Sequence, residues 1–379
     1  MLHVGAPNVG DRRYFDELVD GIFERRWFTN DGVLVKQLEQ KLCDYLGVKH
    51  CLLVSSATVG LQLACHALEL AGEVIVPSFT FVATPHSVRW EGLTPVFADI
   101  DPSTHTICPE SVRSKITERT SAILGVHLWG TPCETECLNE IAERHGLEVY
   151  YDAAHAFGTK HRGQMIGNFG RCEVFSFHAT KFFNTFEGGA IVTNCDVLAK
   201  RLSLMRNFGF AGMDEVVYLG TNAKMPEICA AMGLSLFSCL DSLMQQNELN
   251  HRLYRAHLED VPGVRLLTYE SVEQTNHQYV VLEIDESAFG QSRDELMFQL
   301  HEEGVRVRRY FYPGCHRMEP YRSEGIDWSP HLRNTESVSD RVLCLPTGNA
   351  MDETAIDRVC AAIRRIGASA RENRPRNAS

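Results

Sequence analysis

Hydrophobic residues form two kinds of pattern along the first two thirds of the chain: a helical spacing and short continuous runs. Apolar residues three and four positions apart predict helices in FDELVDGIFERR and VLVKQLEQKLCDYLG. Further on, helical stretches such as TVGLQLACHALELAG and CLNEIAERHG separate short apolar runs. Those runs are KHCLLVSS, VIVP, PVFADI, AILGVHLWG, LEVYYDAA, VFSFHAT and AIVTN. Strands regularly separated by helices predict an α/β fold, with a mostly parallel central sheet covered by helices.

The pattern changes near residue 224. A long helical stretch covers about residues 224–258 and suits a connector that leaves the first domain. It is followed by the strand QYVVLEI, the helix SRDELMFQLHEEG, the strand VRVRRYF and the closing helix DETAIDRVCAAIRRIG. This mixture predicts a smaller α+β domain. We therefore divide the chain into a large domain of residues 1–245 and a small C-terminal domain of residues 246–379.

Composition narrows the class of protein. The 379 residues are 44% hydrophobic and 23% charged, which is the balance of a soluble globular protein. A net charge of −12 disfavours a nucleic-acid partner, and no apolar run approaches the roughly 20 residues of a membrane span. The 13 cysteines are scattered without CxxC pairs, which favours reduced thiols over disulfides or a metal site. We expect a cytoplasmic protein without a metal, nucleic-acid or membrane partner.

Three polar features fall at the carboxyl ends of strands, where a parallel sheet binds its ligands. The segment SSATVG suits a phosphate, although a serine or threonine before a helix is more often only an N-cap. Asp152 ends the strand LEVYYD, where a carboxylate either caps a turn or faces a cationic ring nitrogen. Lys181 follows an apolar strand, and apolar surroundings lower the pKa of an amine and make it nucleophilic. A solvated surface lysine is the commoner alternative.

Together these features supply three functions that pyridoxal phosphate (PLP) needs: a phosphate site, a partner for its ring nitrogen and a reactive amine. They come from separate strand ends in the order phosphate loop, Asp152 and Lys181, with Lys181 29 residues after Asp152. Longer segments carry a resemblance over nearly the whole chain: SSATVGLQLA, VPSFTFVATPHSV, PVFADID, DAAHAFGT, VFSFHATKFFNTFEGGAIVTN, LMRNFGF, YLGTNAKMPEICAAMGL and YFYPGCH. In these segments the chain resembles the DegT/StrS family of sugar aminotransferases. That resemblance implies the aspartate-aminotransferase-like fold, which is fold type I of the PLP enzymes.

The resemblance also implies roles for individual residues. Lys181 would hold PLP as a Schiff base and move protons between substrate and cofactor, and Asp152 would pair with the pyridine nitrogen. The other implied cofactor contacts are Phe81 stacked on the ring, Thr58, Val59 and Ser176 at the phosphate, and His155 and His178 beside the site. We count His155 among the catalytic residues, although a satisfied histidine near the pocket remains an alternative for both histidines.

Two further expectations concern partners. Asn222 resembles the asparagine that reaches the PLP phosphate of the neighbouring subunit, so we expect a homodimer with shared active sites. The C-terminal segment around VRVRRYFYPGCH is expected to contact the substrate. The residues assigned to this role are Arg306, Tyr310 and His316. Arg308 and Arg309 are further candidates for a diphosphate or a glutamate carboxylate, although at alternating strand positions some of these arginines must face solvent.

The resemblance implies L-glutamate as amino donor and a nucleotide-linked keto sugar as acceptor. The run FSFHATKFFNTFEGG is more similar to members that aminate C4 of dTDP-4-keto-6-deoxyglucose than to those that act at C3. A C3 aminotransferase, an enzyme of UDP-linked sugars and a C–S lyase of the wider fold remain enzyme alternatives. A regulatory sugar-binding homologue is the non-enzymatic alternative, which the presence of Lys181, Asp152 and Asn222 disfavours.

Overall fold

A computed structural model describes residues 2–269 and 272–373 of the chain. The helices are α1 (Arg12–Arg25), α2 (Val33–Leu46), α3 (Ala57–Ala67), α4 (Ala83–Trp90), α5 (Pro109–Lys115), α6 (Thr135–His145), α7 (Asp196–Met205), α8 (Glu227–Phe237), α9 (Leu240–Leu258), α10 (Glu286–Phe289), α11 (Arg293–Glu302), α12 (Arg333–Arg341) and α13 (Glu353–Glu372). The strands are β1 (Leu2–His3), β2 (His50–Val54), β3 (Glu73–Pro77), β4 (Thr94–Ala98), β5 (Thr120–Val126), β6 (Glu148–Asp152), β7 (Lys160–His161), β8 (Gln164–Met165), β9 (Glu173–Ser176), β10 (Gly189–Thr193), β11 (Val264–Leu266), β12 (Val280–Ile284), β13 (Val305–Arg306) and β14 (Val342–Leu345).

The central sheet has seven strands in the order β2-β10-β9-β6-β5-β3-β4. The strands β9, β6, β5, β3 and β4 are parallel to one another, whereas β10 is antiparallel to both β2 and β9. This arrangement confirms the predicted α/β fold with a mostly parallel sheet. Because the carboxyl ends of the parallel strands share one edge, the loops that follow them converge there.

Helices cover both faces of the sheet, which explains why its strands read as continuous apolar runs. On β2, Leu53 packs with α1, α2 and α8 on one face, whereas Leu52 and Val54 pack with α3 and α7 on the other. This alternation is the period of two that a strand imposes on its side chains. Helix α8 is apolar on all sides and almost entirely buried, as expected for a helix enclosed between other elements.

The C-terminal part forms a smaller α+β unit. Its sheet is antiparallel in the order β11-β12-β14, and helices α9, α11 and α13 contribute to the same hydrophobic cluster. The N-terminal strand β1 pairs in parallel with β13, so the beginning of the chain reaches this part of the molecule. The predicted division between residues 245 and 246 falls inside the continuous helix α9. The division into two domains stays a prediction.

Two predicted elements differ from the structure. The helical stretch at 224–258 is two helices, α8 and α9, that meet at an angle of 64°. The predicted strand VRVRRYF is paired over Val305–Arg306, after which Arg308 makes a single bridge to Cys344. The chain then turns, because the N–H groups of Tyr312 and Gly314 bond back to the carbonyl groups three residues earlier. Phe311 consequently packs against Trp129 instead of continuing a strand.

Within the described ranges, no single helix is long and apolar enough to cross a membrane. The bent pair α8 and α9 meets that test by length and composition only.

Candidate active site

A cavity of about 280 Å³ lies at the carboxyl ends of the sheet strands. Its walls come from the ends of β2, β3, β5, β6 and β9 and from residues 279, 310 and 311 of the C-terminal part. Most of the residues predicted from the sequence line it: Thr58, Phe81, Asp152, His155, Ser176, His178, Lys181 and Tyr310. Segments that are far apart in sequence meet here because the parallel strands end at one edge.

The start of α3 forms one end of the cavity. Ser56 is the N-cap of this helix, and its hydroxyl accepts a hydrogen bond from the Val59 N–H at 3.3 Å. A Cβ at Gly189 of β10 would come within 2.8 Å of the first backbone nitrogen of the helix, so glycine allows the helix start to approach the strand. Thr58 and Ser176 both line the cavity at this end. A helix N-terminus with hydroxyl groups beside it suits a phosphate.

Asp152 is the last residue of β6 and is buried. Its Oδ2 accepts a hydrogen bond from the Thr84 hydroxyl at 2.8 Å, and its Oδ1 accepts one from the Ala154 N–H at 3.0 Å. Burial raises the pKa of Asp152, whereas these hydrogen bonds and the charges of Lys181 and His127 lower it, and the net shift is upward. A cationic group bound in the cavity would therefore stabilise this carboxylate.

Lys181 follows β9 and is partly buried. Burial lowers its pKa to about 8, although the negative charge of Asp152 acts in the opposite direction. Its Nζ lies 3.4 Å from the hydroxyl oxygen of Tyr279. Because a lysine needs a neutral amine to act as a nucleophile, this lowered pKa suits covalent chemistry with a carbonyl compound.

His155 lines the cavity together with Lys181, and Trp129 holds the imidazole in place. Nδ1 of His155 accepts a hydrogen bond from the main-chain N–H of Trp129 at 3.3 Å, and Nε2 lies 3.2 Å from the Tyr279 hydroxyl. Burial, together with the charge of Lys181, holds the pKa of His155 well below its usual value. His155 is therefore neutral near neutral pH.

Two phenylalanines, Phe81 and Phe311, also line the cavity. Phe311 stacks on Trp129 with ring centroids 5.2 Å apart and an interplanar angle of 14°. Phe81 lies 6.5 Å from Phe311 and is 56% exposed, which is unusual for a phenylalanine beside an apolar wall. Its exposed ring is available to a flat ligand in the cavity, so stacking of Phe81 on a cofactor ring stays a prediction that this geometry permits.

Val59, Asn222, Arg306 and His316 do not line this cavity. The Val59 N–H is bonded to Ser56, as described above. Asn222 is exposed in the loop after α7, and Arg306 is exposed at the end of β13. Their predicted contacts with a neighbouring subunit and with substrate stay predictions.

His316 lies in a separate buried network. Its Nδ1 is 2.7 Å from the Ser78 hydroxyl, and its Nε2 is 3.2 Å from a carboxylate oxygen of Glu336. Both ring nitrogens are thus engaged within the protein. This network anchors the segment that follows Gly314 to the loop after β3, since the His316 N–H also donates to the Ser78 hydroxyl.

Thr84 and Tyr279 are functional candidates that the sequence pattern did not single out. Thr84 lies within the matching segment VPSFTFVATPHSV, three residues after Phe81, so the segment itself carried a signal. Tyr279 reads simply as the first apolar residue of the predicted strand QYVVLEI. No local pattern indicates that its hydroxyl meets Lys181.

The donor set fits pyridoxal phosphate. Hydroxyl groups, a helix N-terminus, the buried Asp152 carboxylate and the Lys181 amine all line the same cavity. No group of three or more His, Cys, Asp or Glu side chains in the described part of the chain is placed to hold a metal ion. The hydroxyl groups, the helix N-terminus, the carboxylate and the amine that line the cavity together favour an organic phosphate cofactor.

Comparison with known proteins agrees with this chemistry. Residues 11–364 match the DegT/DnrJ/EryC1/StrS aminotransferase family. A dTDP-4-amino-4,6-dideoxy-D-glucose transaminase of Shigella dysenteriae is 36% identical over 365 residues, covering 96% of this chain and 99% of that protein. A GDP-perosamine synthase of Vibrio cholerae is 30% identical over 374 residues, covering 96% of this chain and 98% of that protein.

A solved structure extends the similarity to three dimensions. The structure of DesI in the presence of its TDP-sugar product superimposes with a TM-score of 0.94 at 48% sequence identity. The match covers 98% of this chain and 94% of DesI.

Proposed function

The chain belongs to the DegT/DnrJ/EryC1/StrS aminotransferase family, whose cofactor is pyridoxal phosphate, and we propose the reaction that it catalyses. The amino group of L-glutamate is transferred to C4 of dTDP-4-keto-6-deoxyglucose, which gives dTDP-4-amino-4,6-dideoxyglucose. The observation that carries the proposal is the presence of Lys181 and Asp152 in one cavity at the sheet edge. The names of the Shigella transaminase and of DesI with its TDP-sugar support the choice of sugar.

Four residues would hold the cofactor and direct its chemistry. When bound, pyridoxal phosphate supplies an electron sink for the substrate carbon. Asp152, ionised and fixed by Thr84, would hold a proton on the ring nitrogen. Thr58 and the start of α3 would bind the phosphate. The neutral Lys181 amine would bind the cofactor carbonyl and, once released from it, would carry the proton between the substrate carbon and the cofactor.

A second cavity supports a nucleotide-linked substrate. It has a volume of about 400 Å³ and shares Phe81 and Tyr310 with the first cavity, so one ligand could occupy both. Arg308 and Arg309 line it. Asp294 pairs with Arg309 at 2.8 Å, whereas in the described part of the chain no carboxylate pairs with Arg308, whose guanidinium lies over the Tyr310 ring at 5.1 Å. We assign Arg308 to the diphosphate, because charge-assisted hydrogen bonds to phosphate favour arginine.

We also propose a cytoplasmic homodimer in which Asn222 completes the partner's phosphate site. The loop that leads to Asn222 exposes an unusual number of large apolar side chains. They are Phe208, Phe210, Met213, Val216, Val217, Tyr218 and Leu219. Contiguous exposed apolar residues of this kind support burial against another protein surface, and a second copy of the chain is the proposed partner. The free thiols of the buried cysteines support a reducing compartment.

The test is incubation of the purified protein with ¹⁵N-labelled L-glutamate and a panel of nucleotide keto sugars. The panel contains dTDP-, UDP- and GDP-linked 4-keto-6-deoxy sugars and a dTDP-linked 3-keto sugar. We expect ¹⁵N at C4 of the dTDP sugar in the NMR spectrum of the product. Amination at C3, or only of UDP or GDP sugars, would replace the proposed substrate. Binding of the sugars without any amination would favour the regulatory homologue.

A further inference from the structure

Tyr279 connects the C-terminal part of the chain to the cavity. It comes directly before β12, and only 8% of it is exposed. Its main-chain oxygen accepts a hydrogen bond from the Tyr269 hydroxyl at 3.0 Å. Its ring packs edge-on against Trp129 with centroids 5.0 Å apart, and it packs against His155 at 4.5 Å. These contacts fix the position of its hydroxyl group.

The Tyr279 hydroxyl lies between two nitrogens of the active site. Its oxygen is 3.4 Å from Nζ of Lys181 and 3.2 Å from Nε2 of His155. A buried phenol needs a hydrogen-bond partner, and this one has two. One of them is the amine on which the proposed function depends.

His155 determines the direction of these hydrogen bonds. Its Nδ1 accepts the Trp129 N–H, and burial keeps the imidazole neutral. A neutral imidazole whose Nδ1 is an acceptor carries its proton on Nε2. Nε2–H therefore donates to the Tyr279 oxygen. The hydroxyl hydrogen of Tyr279 then points away from His155, so the hydroxyl can donate to Lys181 when the amine is neutral, whereas the ammonium form of Lys181 donates to the hydroxyl oxygen.

We propose that Tyr279 is a positioning residue for Lys181, whose neutral amine accepts a hydrogen bond from the Tyr279 hydroxyl as oriented by His155. This inference rests on the proposed role of Lys181 as the cofactor-binding lysine. A donor directed at the nitrogen lone pair stabilises the neutral amine and holds it in one place in the cavity. When Lys181 takes up a proton it must give up this hydrogen bond, so the hydroxyl favours the form of Lys181 that accepts protons.

The alternative is that Tyr279 only fills space between Trp129 and His155. The variant Tyr279→Phe separates the two roles, because it removes the hydroxyl and keeps the ring. Tyr254→Phe is the matched control: Tyr254 is fully buried in the same part of the molecule and donates to the Pro346 carbonyl at 2.9 Å. Thermal unfolding of both variants verifies that each is folded.

The experiment measures the reactivity of Lys181 in cofactor-free protein. The protein is treated briefly with acetic anhydride over a range of about pH 6 to 11, and acetylation of the Lys181 peptide is measured by mass spectrometry. Only a neutral amine reacts. A hydrogen bond contributes about 0.5–1.5 kcal/mol, so Tyr279→Phe should raise the pH of half-maximal labelling by about 0.4–1, with no change for Tyr254→Phe. In the cofactor-loaded enzyme kcat should fall about tenfold, with KM for both substrates within about twofold.

Two results would overturn the proposal. An unchanged labelling midpoint in Tyr279→Phe would leave Tyr279 with a packing role, and a lower midpoint would mean that its hydroxyl stabilises the ammonium form more than the neutral amine. Neither result depends on cofactor or sugar. Failure of the proposed function would instead be seen in the amination assay while the labelling shift remained.

Discussion

The Thr84 hydroxyl donates a 2.8 Å hydrogen bond to Oδ2 of the buried Asp152 carboxylate. Burial raises the pKa of Asp152, and among the interactions that lower this pKa the hydrogen bond from Thr84 has the largest effect. Asp152 is expected to be ionised when it holds the proton on the cofactor nitrogen. Thr84 therefore favours the state of Asp152 on which the chemistry depends.

Replacement of Thr84 by valine should raise the pKa of Asp152 further. Since the carboxylate is then protonated at a higher pH, the acid limb of the profile of kcat against pH should move to higher pH. The loss of one hydrogen bond to a charged group, about 1.5–3 kcal/mol, predicts a shift of about one to two pH units. Thr193→Val is the control, because Thr193 donates a partly buried hydrogen bond to the Arg171 carbonyl at the far end of β10. Identical acid limbs in the two variants would exclude this role for Thr84.

Arg308 should contribute more to sugar binding than Arg306. Arg308 lines the second cavity, whereas Arg306 is exposed on β13 and lines neither cavity. Arg308→Ala should raise KM for the nucleotide sugar by about 10- to 100-fold, as expected for a charge-assisted hydrogen bond to phosphate. Steady-state kinetics at saturating glutamate measures this effect. A larger increase in KM for Arg306→Ala than for Arg308→Ala would instead favour Arg306 as the substrate-binding arginine.

Sharing of sites between subunits can be tested by mixing two inactive variants. Lys181→Ala and Asn222→Ala should each have little activity alone. Subunit exchange in an equal mixture forms half of the dimers as hybrids, in which one site carries both changes and the other carries neither. The mixture should regain about a quarter of wild-type activity if Asn222 acts in the partner's site. If the mixture stays inactive although native mass spectrometry detects hybrids, Asn222 acts within its own subunit.

The lowered pKa of Lys181 predicts how the stability of the cofactor-free protein depends on pH. Below about pH 8 both the folded and the unfolded chain hold the proton, so the folded state carries the full cost of the buried charge. Between pH 8 and the usual lysine value, the unfolded chain binds more protons and the stability of the wild type rises with pH. Lys181→Met should therefore be more stable than wild type by about 1–3 kcal/mol at pH 7, and this difference should shrink toward pH 10.

Urea unfolding at both pH values measures the difference. Lys200→Met, which changes an exposed lysine on α7, is the control and should show no such dependence on pH. A stability difference between Lys181→Met and wild type that stays constant with pH would mean that the Lys181 charge is not destabilised by burial.

Much of the fold was predictable because the central strands are buried on both faces. A strand such as β2 is then apolar along its length, and the helices between strands keep their own period. The segment VRVRRYF shows the limit of this reasoning. Its alternation suggested a strand, but regular pairing ends at Arg306 and a single bridge joins Arg308 to Cys344 before the chain turns. The turn places Phe311 on Trp129, a contact between distant segments that no local pattern indicates.

The same distinction applies to the site: residues within a local sequence pattern could be predicted, whereas residues brought together by long-range packing could not. Lys181 and Asp152 line one cavity, and both could be predicted as site residues because Asp152 ends a strand, Lys181 follows one, and each belongs to a recognisable segment. Tyr279 could not, because its contact with Lys181 joins residues 98 positions apart and arises only when the C-terminal part packs on the sheet edge. His316 matched the family segment, yet its ring nitrogens are engaged by Ser78 and Glu336, an arrangement that no sequence pattern indicates.

The central claim is that Lys181 binds the cofactor covalently, and borohydride reduction tests it most directly. The purified protein, reconstituted with pyridoxal phosphate, is reduced with sodium borohydride, digested and analysed by mass spectrometry. We expect a stable phosphopyridoxyl group on the Lys181 peptide, loss of the yellow colour on reduction, and no modified peptide in Lys181→Ala. Modification of another lysine, or protein that stays colourless after reconstitution, would contradict the claim.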